Sequence, residues 1–397
     1  KNYKVLKTWL TSNYESLKYK YYTQTFALTI EYTTVYIFYV EEKMSTKVKL
    51  GIVGLGRWAK VLTAAAKTSD KIEIVAGYSR SQEKRDAYTE EFNIRTYESL
   101  EEVLNLKEVE GVIITVPNEQ HYSVAKQIAE AGKHVYTEKP ISNILEDGLR
   151  MEGLQKKHNI TVTVGHSARL LQGIKMMKDA LDSGELGKLS FIEANFSNER
   201  ALELTPDTWR WYRDRAPGGP LSQLAIHMFD IVHFLAGDVE CVSSIASKLS
   251  PVGAEVDDQS MSTVKFKNGV LGYVGSSWTA PGIFSTRVFA QKGLMHFELD
   301  FSTWDNPDKI HESSKIYMQR GKDGYGLRED LTMPAGNMFR DELEIFGDAC
   351  RSNTTEQLTA HDGNVAVAMV YAALKSIEKS SQVVSVDSIM NEAKNKI

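Results

Sequence analysis

The sequence predicts a two-part α/β chain: a doubly wound, parallel-sheet domain first, then a strand-rich α+β domain. Three observations predict it. The chain has 397 residues, more than one ordinary globular core accommodates. From Met44 the pattern alternates strand, glycine turn and helix, which implies right-handed βαβ crossovers and a parallel sheet. After residue 185 strand-like runs follow one another, two of them joined by the Asn268-Gly269 pair of a hairpin. Composition narrows the function classes. With 42% hydrophobic and 25% charged residues, the chain resembles neither a disordered tract nor a coiled coil. Lys plus Arg number 47 against 52 for Asp plus Glu, a net charge of −5, so the basic excess of a nucleic-acid binder is missing. Two cysteines, Cys241 and Cys350, without a C-x-x-C, exclude a disulfide scaffold and a Cys-rich zinc site and fit a cytoplasmic protein. No apolar run reaches the roughly 18 residues of a membrane span, so no membrane partner is expected.

Residues 1–43 differ in composition from the rest. They lack Gly, Pro, Asp, Arg, His and Met but hold eight of the 18 tyrosines. The expectation is upstream sequence read in frame, with the working protein starting at Met44. The alternative is an authentic membrane-surface or targeting arm.

The first domain is expected over 44–165 and the second over 166–397. Val48–Val53 is apolar enough for a buried parallel strand and runs directly into Gly54-Leu55-Gly56-Arg57-Trp58-Ala59. This is G-x-G-x-x-A, opening a helix through about Lys67. Gly54 allows the tight turn, Gly56 leaves room for a pyrophosphate, and Ala59 lets helix and strand pack closely. The helix N-terminus then offers free N–H groups to phosphate. Glycines also serve ordinary turns, but this motif stands between a strand and a helix, as a Rossmann dinucleotide site requires. After the second strand, Ile72–Tyr78, comes Ser79-Arg80-Ser81, where a carboxylate would normally hold the ribose diol of NAD. An arginine between two hydroxyls suits a 2′-phosphate, so NADP(H) is expected ahead of NAD(H). Ser81 is also placed to cap the helix Gln82–Phe92. A strand over 111–116 ends at Pro117-Asn118, a helix runs over 121–131, and a strand over 134–137 delivers Glu138-Lys139-Pro140. Ligands of such sheets sit beyond the carboxyl ends of the strands. Lys139 is therefore a candidate for chemistry, the alternative being a surface salt bridge with Glu138.

Together, G-x-G-x-x-A, V-P-N-E-Q-H at 116–121 and A-G-K-H-V-Y-T-E-K-P at 131–140 resemble the Gfo/Idh/MocA oxidoreductases. The resemblance continues through Gly165–Arg169, Asp207–Arg210, Gly218 to His227 and the region 338–386, and skips 1–43. It implies a Rossmann domain followed by an α+β domain with a large open, mainly antiparallel sheet. It also implies a homodimer or homotetramer formed through that sheet. Strand-like runs at 189–196, 239–248, 260–266, 270–277 and 287–291 agree with such a sheet. The motif and the resemblance assign the cofactor to Gly54, Gly56, Arg57, Trp58, Ala59, Ser79, Arg80, Ser81, Pro117, Asn118, His121 and Glu138.

The chemistry follows from the same resemblance. Oxidising an alcohol needs a group that takes the hydroxyl proton as hydride leaves the carbon, and histidine titrates nearest neutrality. The resemblance makes Lys139 and His227 this acid/base pair. On residues alone, a histidine on an apolar helix also fits a satisfied core position. Gln223, four residues before His227, stands where many family members carry Asp; an amide can bind a substrate hydroxyl but cannot take a proton. Asp230 is a candidate orienter of His227, the alternative being a solvated helix residue. His166, Arg169, Trp209 and Gln223 are expected beside Lys139 and His227 as substrate contacts, with Arg210 following Trp209; for Trp209 the alternative is domain-interface packing. His233 is expected to be structural. No metal-ligand spacing and no G-x-S-x-G occurs. The expected activity is an NAD(P)-dependent oxidoreductase of a secondary alcohol or ketone on a sugar, cyclitol or related polyol. The alternatives are an NAD-dependent glycosidase of the same family and a non-catalytic dinucleotide sensor.

Overall fold

A computed structural model describes residues 47–304, 306–321 and 327–397; the expectation for residues 1–43 lies outside them. The first layer is a six-stranded sheet in the order β3-β2-β1-β4-β5-β6, parallel throughout. Its elements are β1 (Val48–Val53), α1 (Arg57–Ala66), β2 (Ile72–Tyr78), α2 (Gln82–Phe92), β3 (Arg95–Tyr97), α3 (Leu100–Leu104), β4 (Gly111–Ile114), α4 (His121–Glu130), β5 (His134–Glu138), α5 (Leu145–His158) and β6 (Val162–Gly165). β1, β4, β5 and β6 are buried almost throughout, as their continuous apolar runs require of a sheet covered on both faces. The strand order reverses between β1 and β4. A crevice therefore opens at their carboxyl ends.

After α6 (Gln172–Asp182) the chain builds a nine-stranded sheet in the order β14-β13-β12-β11-β7-β10-β9-β8-β15. Its strands are β7 (Leu189–Ser197), then, after α7 (Ile226–Ala236), β8 (Val239–Ser247), β9 (Gln259–Phe266), β10 (Leu271–Ser277), β11 (Ile283–Ala290) and β12 (Gly293–Glu298). A short α8 (Ile310–Ser313), β13 (Lys315–Arg320) and β14 (Arg328–Asp330) follow, then α9 (Met338–Ser352), α10 (Ala360–Glu378), β15 (Val384–Ser385) and α11 (Val386–Lys394). Only β7 and β10 pair in parallel; the other ladders are antiparallel. Strict alternation along β9 buries Ser260, Ser262, Val264 and Phe266 and exposes Met261, Thr263 and Lys265. One face of this sheet is thus packed and the other open.

The chain does not divide at residue 165 into two separate bodies. Helix α9 returns to the first sheet. Its Phe346 and Gly347 press so closely that a Cβ on Gly111 would lie 2.6 Å from Phe346, and one on Gly347 2.4 Å from Ile72. Helix α10 packs on α5, α7 and β8, and its Asn364 Nδ2 donates to Glu152 Oε2 at 2.7 Å. The segment 166–397 therefore includes a helix that completes the first layer. Among the described residues no helix is long and apolar enough to cross a membrane.

Candidate active site

Two adjoining recesses sit at the carboxyl ends of the parallel strands. The first is a groove of about 560 Å³ lined by Gly54, Gly56, Ser79, Arg80, Lys84 and Pro117, among others. Gly54 holds a positive φ of 94°, and a Cβ there would meet the backbone of Thr115 and Val116 at 2.8 Å, so the turn requires glycine. At Gly56 a Cβ would point into open space, the volume a pyrophosphate would fill. Gly56 is also the N-cap of α1; no side chain caps that terminus and no acid lies in its first turn. The free N–H groups and the helix dipole are left for an anion. Ala59 is fully buried under this turn. These features fit a dinucleotide.

The loop after β2 is held from below. Arg85 Nη1 donates to the carbonyls of Ser79 at 2.7 Å and Arg80 at 3.2 Å. Ser81 accepts from the Lys84 N–H at 3.3 Å, so its hydroxyl caps α2. Arg80 is exposed on the groove, and Lys84, four residues later on α2, lines it as a second cation. Sequence reasoning missed Lys84: Arg80 precedes the helix, so no helical spacing links the two, and both line the groove only once the loop is folded.

The second recess, about 630 Å³, is lined by Lys139, His227, Gln223, Arg57, Trp58, Glu138 and Arg210, and by residues around them. Lys139 leaves the end of β5. Gln223 and His227 come from the second half, where Leu221–Ala225 forms a wide π-helical turn that runs into α7. The turn starts from Gly219, whose φ is +54° and whose Cβ would lie 2.1 Å from the Asp257 carbonyl. Only glycine lets the helix begin there. An aromatic wall surrounds the polar groups: Phe196 lies 5.7 Å from His227 and 5.9 Å from Phe301, and Trp304 and Trp58 each pack against Phe339. Four separate segments supply this wall, so no local pattern announces it.

Burial sets the electrostatics. It pushes the Lys139 ammonium down, against the opposing pull of Glu138. It pushes the Glu138 carboxyl up, against the charge of Lys139. His227 is held well below the usual imidazole range by burial first, then by Lys139 and His166, and its Nδ1 is buried without a partner. Near neutrality His227 is uncharged while Lys139 keeps its proton. Behind them lies Glu342 of α9, fully buried; burial and then the charge of Glu138 push its carboxyl well above the usual carboxylate range, against the opposing pull of Tyr136. Nothing in the sequence around Glu342 marks it as buried.

Several expected site residues lie elsewhere. His121, expected at the cofactor, is fully buried, with its ring nitrogens 3.0 Å from the Pro140 carbonyl and 3.1 Å from that of Val116. It braces the E-K-P segment instead. Arg169, expected at substrate, is 2% exposed and clamped by Asp230 and Asp362, with Nε 2.9 Å from Asp230 Oδ2 and Nη1 3.1 Å from Asp362 Oδ2. Three of its five N–H donors are bound to these carboxylates, and Arg169 is not among the residues that line the cavity. His166, also expected at substrate, lies behind the cavity wall, fully buried and 3.7 Å from the same Asp230. Asp230 therefore serves Arg169 rather than orienting His227. Trp209 lines a neighbouring recess with Pro117, Asn118 and Arg215, and offers its face to Arg210, whose Cζ lies 4.2 Å from the ring centroid. Asn118 donates to Asn143 Oδ1 at 3.1 Å. His233 lies 3.7 Å from Asp362. Among the described residues no three His, Cys, Asp or Glu side chains are grouped to hold a metal.

Comparison with known proteins places this geometry in a family. Residues 48–166 match the family model described as the oxidoreductase family with an NAD-binding Rossmann fold, and residues 174–296 match the GFO/IDH/MocA C-terminal domain. A crystal structure from Desulfitobacterium hafniense DCB-2, designated a candidate NADPH-dependent oxidoreductase, superposes with a TM-score of 0.84 at 35% identity, covering 87% of this chain and all of that one. Myo-inositol 2-dehydrogenase of Thermotoga maritima is 25% identical over 343 residues, 84% of this chain and 98% of that enzyme. Glucose-6-phosphate 3-dehydrogenase of Bacillus subtilis is 28% identical over 203 residues, 51% of this chain and 57% of that enzyme; this match spans less than two thirds of the relative. A groove shaped for a dinucleotide beside a cavity holding Lys139 and His227, with both family domains matched, identifies the chain as a member of the Gfo/Idh/MocA oxidoreductase family.

Proposed function

We propose that this protein is an NADP(H)-preferring oxidoreductase that interconverts a secondary alcohol and a ketone on a sugar, cyclitol or related polyol. The observation that carries the reading is the meeting of Lys139 and His227 in one cavity that adjoins the glycine-turn groove. When bound, the nicotinamide cofactor supplies the hydride acceptor or donor. Gly54, Gly56 and the N-terminus of α1 would hold its pyrophosphate; Ser79, Arg80 and Lys84 would hold a 2′-phosphate. In the oxidation direction the uncharged His227 accepts the hydroxyl proton. The Lys139 ammonium lowers the energy of the alkoxide that develops. In reduction the same depressed basicity makes a protonated His227 a ready donor to the nascent alkoxide. Gln223 orients substrate by hydrogen bonding but does not titrate. The aromatic wall covers the apolar face of a sugar ring and excludes water. A panel of sugars, cyclitols and diols tested with NADP and NAD in parallel checks the reading. Formation of reduced cofactor with a polyol, at lower concentrations of NADP than of NAD, is the expected result.

A further inference from the structure

The substrate cavity carries more positive charge than its chemistry requires. Besides Lys139, it is lined by Arg200, on the turn after β7, and Arg210, on the turn Trp209–Trp211. Neither guanidinium forms an ion pair among the described residues, whereas Arg169, Arg287, Arg320 and Arg340 each have a carboxylate within reach. Arg210 is half-buried with its guanidinium over the Trp209 ring. Burial and the charge of Arg200 both disfavour its cation, and Arg210 in turn disfavours the cation of Lys139. Arg210 thus meets like charge from the exposed Arg200 and from Lys139, in a recess that Arg57 also lines. The lining acids do not offset them: Glu138 is engaged behind Lys139, and Glu199 is exposed and pairs with neither arginine. A half-dehydrated cation beside like charges is unfavourable in the free protein and is relieved by an anionic ligand. The fork of a guanidinium matches the paired oxygens of a phosphate or carboxylate.

From this arrangement we propose that the natural substrate is an anionic polyol, bearing a phosphate or a carboxylate that Arg200 and Arg210 bind. The proposal rests on the dehydrogenase reading for its reaction, but its binding claim is separable. The test titrates the enzyme loaded with reduced NADP against glucose, glucose 6-phosphate and glucuronate, by calorimetry and by Trp fluorescence. Hydride transfer to NADP is followed with the same three compounds. At least one anionic sugar binds about 10-fold or more tightly than glucose. R210M and R200M each remove about 10- to 100-fold of that advantage, taken as the ratio of anionic-sugar to glucose affinity within the same variant, as loss of a charge-assisted contact should. The preferred arm tells phosphate from carboxylate. Equal or absent binding of all three overturns the proposal, as does an R210M effect that falls on cofactor affinity instead. Oxidation of glucose with no gain from an anion leaves the dehydrogenase reading standing and removes this one. Arginine-dependent anion binding with no hydride transfer from any probe does the reverse.

Discussion

Replacing Asp230 with Asn separates two roles that the sequence could not distinguish. In the folded protein Asp230 is 1% exposed and holds Arg169 through both oxygens, while Asp362, at 17% exposure, holds the other side of the guanidinium. Asp230→Asn keeps the shape but leaves a buried cation with one carboxylate. Removing one partner of a buried pair costs about 3–5 kcal/mol. Because Asp362 remains and the amide oxygen can still accept a hydrogen bond, the lower end, about 3 kcal/mol, applies. At about 2 °C per kcal/mol for a chain of this size, the melting temperature should fall by roughly 6 °C. Acid should destabilise wild type and variant alike through Asp362. Although burial alone would raise the Asp362 pKa, His233 and Arg169 hold it well below the usual carboxylate range. Its stabilisation is present above the unfolded-state value near 4 and is lost as pH falls toward the folded one. Thermal melts at neutral and acidic pH, alongside single-turnover hydride transfer, provide the assay. A melting temperature within about 2 °C of wild type, with turnover reduced ~10²-fold or more, would make Asp230 the orienter of His227 and refute this account.

Three further outcomes follow from the same structure. Glu342→Gln should stabilise the protein as pH rises: the buried carboxyl holds its proton in the fold and loses it when unfolded. The native state gives up about 1.4 kcal/mol per pH unit above the unfolded value near 4.3, so the gain in melting temperature should be near zero at low pH and largest at mild alkalinity. Arg80→Ala should weaken NADP(H) binding by about 1.5–3 kcal/mol, the range for a charged hydrogen bond, with little effect on NAD(H); parallel titrations with both cofactors check it. With the Lys139 pKa lowered to about 8, alcohol oxidation and ketone reduction should both decline as pH rises through that value, because the ammonium that stabilises the developing alkoxide is lost. The residual activity of Lys139→Met should lack this inflection.

Local chemistry made much of the fold legible. The strands of the first sheet announce themselves as short apolar runs bounded by glycine, and Asn268-Gly269 marks the β9–β10 hairpin, with Gly269 at a φ of +89°. The strand expected to begin at Arg287 begins four residues earlier at Ile283, because Ser285 and Thr286 continue the alternation while lacking the apolar character that signals it. Strands β12 to β14 carried no comparable signal. Long-range pairing was the harder part of the site. Arg169 finds its carboxylates 61 and 193 residues away, and nothing near Arg169 in sequence reveals that these acids, rather than substrate, receive its guanidinium. His121 and His166 look like site residues from their motifs, yet the backbone carbonyls and cavity wall that enclose them exist only after folding. Lys139 and Gly54–Gly56 lie at the carboxyl ends of parallel strands, where topology alone directs attention.

The most direct measurement is single-turnover hydride transfer in enzyme preloaded with oxidised cofactor and mixed with its best polyol. It should be run for wild type, Lys139→Ala and His227→Ala, with cofactor binding measured separately. Each substitution should slow hydride transfer by ~10²–10⁴-fold, the usual worth of a positioned acid–base group, and leave cofactor affinity nearly unchanged. Unimpaired hydride transfer in His227→Ala would return that residue to a core role. Product release with no net change in reduced cofactor would instead indicate transient oxidation in a hydrolase, and either result would contradict the proposed mechanism.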